Sequence, residues 1–137
     1  MKALLNKLLV AEPNKDLGLL AFRILAALAL MKAHGLPKLL SIQEAITHIP
    51  DPLGLGGTFS TYYAIFADVV CALLVAFGFL TRFAALVIIS ITLTGLIFIH
   101  LSDPANVQDT PIIYSVVFGF IAYMGAGKYA LDNKFFK

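Results

Sequence analysis

Four apolar runs dominate the chain, at residues 17–33, 59–77, 82–100 and 111–125. A helix crossing a bilayer needs about 20 mostly apolar residues, because each residue advances it by about 1.5 Å against a hydrocarbon core about 30 Å thick. Inside hydrocarbon every backbone N–H and C=O must be satisfied within the segment, so runs of this kind fold as helices. The remaining residues cannot supply an aqueous surface. Only 13% are charged, against about a quarter in a soluble domain, and mean hydropathy is +0.90. The expected fold is all-α: a single membrane domain over residues 1–137, a bundle of four transmembrane helices with a short amphipathic helix in front.

The connections carry their own signals. In residues 1–13, Leu4, Leu5, Leu8 and Leu9 share one face away from Lys2, Asn6 and Lys7, the pattern of a helix lying in the membrane interface. Lys7 interrupts this segment and no small-residue cleavage site follows, so it reads as part of the mature protein. Pro13 and Asn14 end it. His34-Gly35-Leu36-Pro37 is predicted to stop the first span, since Gly and Pro terminate helices. Ser41-Ile42-Gln43-Glu44 has the spacing of a capping box, and Pro50-Asp51-Pro52 with Gly54, Gly56 and Gly57 reads as turn. Thr58 or Ser60 would cap the second span, Gly78 would close it, and Thr81 would cap the third, making an antiparallel hairpin. Thr110-Pro111 would open the fourth span, and Gly125 and Gly127 would end it.

Lys and Arg set the expected orientation. Lys2, Lys7, Lys15, Arg82, Lys128, Lys134 and Lys137 flank one side, against Lys32 and Lys38 on the other, which predicts cytoplasmic termini. A net charge of +2 with no basic stretch interleaved with aromatics argues against nucleic acid as a partner. The lone Cys71, inside an apolar run, reads as a buried structural thiol rather than half of a redox pair.

Away from their ends the apolar runs hold two full charges, and charges there are costly enough to need a reason. Arg23 lies six residues from the cytoplasmic start of its span, about 9 Å in at the helical rise, and Asp68 lies about as far below the outer end of the next. They are expected to pair, or to share a water, inside the bundle. The competing reading is a lock between two helices without chemistry. A second constellation stands at the outer ends of the spans: His34, Lys38 and His100, with His48 in the adjoining loop. Such imidazoles could bind a metal, relay a proton or hydrogen-bond a quinone carbonyl, or simply end helices in the headgroup zone. No metal-ligand spacing is present, so no metal site is assigned, and no catalytic residue is identified. Ser90, Thr92, Thr94, Tyr114, Ser115 and Tyr123 are expected to pack or to hydrogen-bond between helices, and Gly95 and Gly119 to allow close helix approach.

Taken in order, Arg23, then His34-Gly35-Leu36-Pro37-Lys38-Leu39, then Asp68, Gly78-Phe79-Leu80-Thr81-Arg82, His100 and Gly125-Ala126-Gly127-Lys128-Tyr129-Ala130-Leu131-Asp132 resemble the DoxX family, over nearly the whole stretch from Leu17 to Asp132. Asp68 departs from the pattern, where Glu is commoner; the charge is kept and its reach shortened. The resemblance implies a four-helix protein of the bacterial inner membrane. Some relatives are linked to thiosulfate:quinone oxidoreduction, others to oxidative-stress complexes or quinone resistance. The ligand-binding candidates are Arg23, His34, Lys38, Asp68 and His100, with a quinone as the ligand. Three functions follow as expectations. The first is a subunit handling a quinone or other apolar redox molecule for a membrane or periplasmic oxidoreductase. The second is a non-catalytic assembly factor, and the third a small-solute transporter, for which four helices leave little room unless the chain forms a homo-oligomer.

Overall fold

The computed structural model describes residues 1–9 and 12–136. Val10 and Ala11 of the N-terminal segment and Lys137 of the charge count lie outside the described residues, as do the side chains of Lys7 and Leu8. Four helices are long and apolar enough to cross a membrane: Lys15–Leu40, Gly57–Phe77, Thr81–Phe98 and Ala105–Met124. In chain order the elements are α1 (Lys2–Leu9), α2 (Lys15–Leu30), a π-helical segment π1 (Met31–Gly35), α3 (Leu36–Leu40), α4 (Ile42–His48), α5 (Gly57–Ile65), a second π segment π2 (Phe66–Cys71), α6 (Ala72–Phe77), α7 (Thr81–Phe98), α8 (Ala105–Met124) and α9 (Leu131–Phe135). The chain is an all-α, multi-pass membrane protein in contact with the lipid bilayer.

The first span does not stop at Gly35 and Pro37. Leu36 donates its N–H to the carbonyl of Met31, five residues back, and Pro37 falls in the first turn of α3, so the helix runs on to Leu40. A proline is tolerated there because first-turn N–H groups lack helical partners anyway. In the fourth span Pro111 likewise lies inside α8, whose start is Ala105 rather than Thr110. The cap assignments also change. Asn14, read as a terminator, accepts the N–H of Leu17 (3.1 Å) and opens α2. Ser41 precedes α4 without a side-chain capping bond, so the capping box does not form. Gly56, not Thr58 or Ser60, caps α5.

The bundle is tight at the end that carries the termini. Ala27, Ala72, Ala84 and Ala85 are fully buried and let the helices approach, with Val75, Ile88, Phe118 and Ile121 filling between them and Cys71 buried beside them. Outward, Leu25, Phe77, Phe83, Leu86, Ile97 and Val116 are exposed, the face offered to lipid. Gly95 and Gly119 are not points of close approach, for a Cβ on either would meet nothing within 4 Å.

Side chains from the tail close this end. Gly78 (φ 71°) and Leu80 (φ 48°) turn the chain between the second and third spans in left-handed conformations. Asp132 holds that turn: its carboxylate accepts the N–H groups of Leu80 (2.6 Å) and Thr81 (3.1 Å), and its own N–H donates to Gly78 O (2.8 Å). The cap of α7 therefore comes from Asp132, not from Thr81, whose hydroxyl is buried without a partner among the described residues. Arg23 is fully buried in the same junction, donating to Tyr129 O (2.7 Å) and Val75 O (3.3 Å).

Candidate functional site

Arg23 and Asp68 do not pair. Helical side chains lean toward the N-terminus of their helix. The two spans run antiparallel, so Arg23 leans toward the termini and Asp68 leans away from them. The carbonyl that Arg23 reaches, Val75, lies seven residues from Asp68, about 10 Å along the helix. The same lean gives Asp68 a different partner. Lys38, near the far end of the first span, points back into the bundle, and its Nζ sits 2.8 Å from Asp68 Oδ2 and 2.9 Å from His34 O. The Asp68 side chain is 6% exposed and that of Lys38 22%.

The two π segments pack against each other and set this pairing. A π turn inserts an extra residue into the helix and re-aims the side chains that follow, and such turns often mark functional sites. Gly35 touches the backbone of span two: a Cβ there would lie 2.7 Å from Asp68 O and 2.8 Å from a Val69 methyl. Only glycine permits that contact, and it brings Lys38 within reach of Asp68.

Above the pair the helices part. The third span packs along α6 and π2, while its outer half is linked to α5 by a hydrogen bond between Tyr63 Oη and Ser90 Oγ (2.6 Å). The divergence leaves a cavity of about 710 Å³, within the size range of small-molecule sites. His34, Lys38, Asp68 and His100 all line it; Arg23 and His48 do not. His48 instead ends α4, with its ring nitrogen 2.9 Å from Glu44 O. Most of the wall is apolar, so the polar groups stand out singly against it.

Each polar group is oriented by a neighbour. The His34 ring meets the Tyr114 ring edge to face at 5.4 Å, a favoured aromatic geometry. His100 Nδ1 lies 2.7 Å from Asp103 Oδ2, which fixes its ring in the cavity wall. Thr92 and Ser115 share a hydrogen bond of 2.7 Å that ties the third span to the fourth. Thus Thr92, Ser115 and Ser90 bond between helices, whereas Tyr123 is a largely exposed side chain. Among the described residues no cluster of three or more His, Cys, Asp or Glu side chains is placed to hold a metal ion.

Sequence reasoning missed the residue that shapes the roof. Pro50, Pro52, Leu53 and Leu55 lie over the cavity, and Asp51 fastens them. Its carboxylate accepts the N–H groups of Leu55 (3.0 Å) and Gly56 (2.7 Å) and the hydroxyl of Ser60 (2.8 Å). These bonds, that from Ser60 foremost and that from Gly56 next, hold the Asp51 carboxyl below its ordinary range. The signal was present: an Asp followed closely by glycines accepts the amides of its own turn. Tyr63 and Tyr114, also in the cavity wall, carried no such mark.

No solved structure matches the chain. A Haemophilus influenzae protein described as uncharacterized is 28% identical over 129 residues, spanning 86% of this chain and 91% of its own length. The DoxX family matches residues 18–101, a stretch that runs from α2 past His100 and includes Arg23, the Gly35 contact and the Lys38–Asp68 pair. The chain belongs to the DoxX family.

Proposed function

We propose that the cavity binds a quinone-type molecule, an apolar ring with polar oxygens, and that the protein serves a membrane oxidoreductase system as its ligand-handling subunit. The observation that carries this reading is the Lys38–Asp68 ion pair facing an otherwise apolar cavity inside the bundle. An intramembrane charge is expensive and marks a functional site by default. Here the ammonium can donate to a quinone carbonyl, and the carboxylate can accept from the hydroxyl of the reduced ring. His34 and His100 add donors or acceptors according to their protonation. Lys38, rather than Arg23, is the cation paired with Asp68. Arg23 belongs to the helix junction at the other end.

Electrons would come from a partner protein in or beside the membrane, since the chain has no paired thiols and its single Cys71 is buried. On this reading the protein lies in a bacterial inner membrane with both termini cytoplasmic, α1 in the interface and the cavity at the outer side. The closely packed core beneath the cavity favours a blind binding site over a transport path.

Purified protein in lipid nanodiscs titrated with a ubiquinone or menaquinone analogue tests the reading. Saturable binding that is lost in Asp68→Asn is the expected result. A flat titration, or identical curves for wild type and variant, rejects it.

A further inference from the structure

We infer that the cavity is entered from the bilayer, through the gap between α5 and α7, and that its ligand is therefore a membrane-resident amphiphile with a polar head and a long apolar chain. This rests on the reading of the cavity as a ligand site and names the class of ligand it takes. Three features carry it. The Lys38–Asp68 pair sits deep, with His34 beside it at the floor. The roof on the aqueous side is an apolar loop, Pro50 to Leu55, held down by the three hydrogen bonds to Asp51. The side wall between the second and third spans is different: there the helices diverge, and Tyr63 and Ser90 bridge the gap.

Both residues of that bridge line the cavity and are exposed, at a level of the bundle where the surroundings are lipid. The Tyr63–Ser90 bond is thus a strap across a lateral opening. A single hydrogen bond between hydroxyls has little net worth, since water or lipid headgroups replace it readily, so the strap opens on thermal fluctuation. A ring entering this way would turn its oxygens toward Lys38 and Asp68 and leave its chain in the gap, where the wall and the surroundings are both apolar. A water-soluble molecule would have to lift the roof.

The chain contains no tryptophan, so a single introduced indole reports cleanly. Tyr114→Trp places it in the cavity wall against His34, with Thr94→Trp as a second reporter should the first not fold. In vesicles of brominated phosphatidylcholine, the fluorescence is expected to be quenched by the lipid chains. Removing the strap with Tyr63→Phe and Ser90→Ala is expected to deepen the quenching. Joining Tyr63→Cys to Ser90→Cys with a short bifunctional thiol reagent is expected to abolish it, and cleaving the reagent to restore it. Quenching that is insensitive to both manipulations, or that comes only from aqueous acrylamide, overturns the inference. No quinone is present in this assay, so its outcome is separate from that of the quinone titration. A positive portal with a flat titration would retain the amphiphile and discard the quinone.

Discussion

Gly35 lies against the backbone of Asp68, so closely that a Cβ would stand 2.7 Å from the Asp68 carbonyl oxygen. The contact joins the two π segments and fixes the height at which Lys38 meets the carboxylate. Neither neighbour is a flexible side-chain tip: one is backbone and the other a β-branched methyl.

Gly35→Ala should therefore force the first and second spans apart. Overpacking of this kind costs about 1–3 kcal/mol. Thermal unfolding in detergent should show the loss. Because the displaced element carries Lys38, quinone-analogue binding should weaken as well. An alanine variant with unchanged stability and binding would mean that the helices can separate freely at this point.

Arg23 supports the opposite end. Its guanidinium serves the carbonyls of Val75 and Tyr129; Arg23→Ala would take the donor from the part-buried Tyr129 carbonyl and leave Val75 O with the Gly78 N–H alone. An unsatisfied buried group costs about 1–3 kcal/mol, so a drop of about that size is expected. Ligand affinity, measured below the lowered melting temperature, should stay at the wild-type value because Arg23 does not touch the cavity. A selective loss of binding without a loss of stability would return Arg23 to the site.

The contrast between Arg23 and Lys38 shows what the sequence carried and what it withheld. Apolar runs long enough to span a bilayer leave few alternatives to helix, so the all-α membrane class was legible directly. The presence of charges in the spans was equally plain. Their partners were not, because pairing depends on the direction in which helical side chains lean, and on where the helices end. Reading Pro37 as a terminator placed Lys38 outside the first span, when the π turn before it keeps the helix intact and turns the lysine inward. Pro111, read as opening the fourth span, instead lies inside α8. The cap from Asp132 comes from outside the helix it serves; it acts across 52 residues, and no local pattern encodes a contact of that separation.

Asp51 gives the cavity roof a dependence on pH. Its folded-state pKa is depressed by the hydrogen bonds from Ser60, Gly56 and Leu55. A depressed carboxylate contributes to order above its unfolded pKa, about 3.9, and that contribution is lost as pH falls through the lower folded value. The amide resonances of Leu55 and Gly56 should accordingly hold steady from neutral pH down to the ordinary carboxylate range and shift only below it. In Asp51→Asn they should show no such transition. A wild-type transition at or above the ordinary aspartate range would contradict the bonding seen here.

The Lys38–Asp68 pair separates stability from function most sharply. Removing one member of a buried pair strands the other charge, at about 3–5 kcal/mol, whereas replacing both with apolar residues is often neutral or better. Lys38→Met and Asp68→Leu should each destabilise the protein by an amount in that range. The double variant should recover most of the loss, giving a coupling energy that two independent sites would not show. Recovery of stability should not bring back quinone-analogue binding, because the ammonium and the carboxylate are the groups that meet the ligand's oxygens. A double variant that regained both would reduce the pair to a lock between helices. If it folded well but did not bind, the charges would be held in the bilayer for their chemistry.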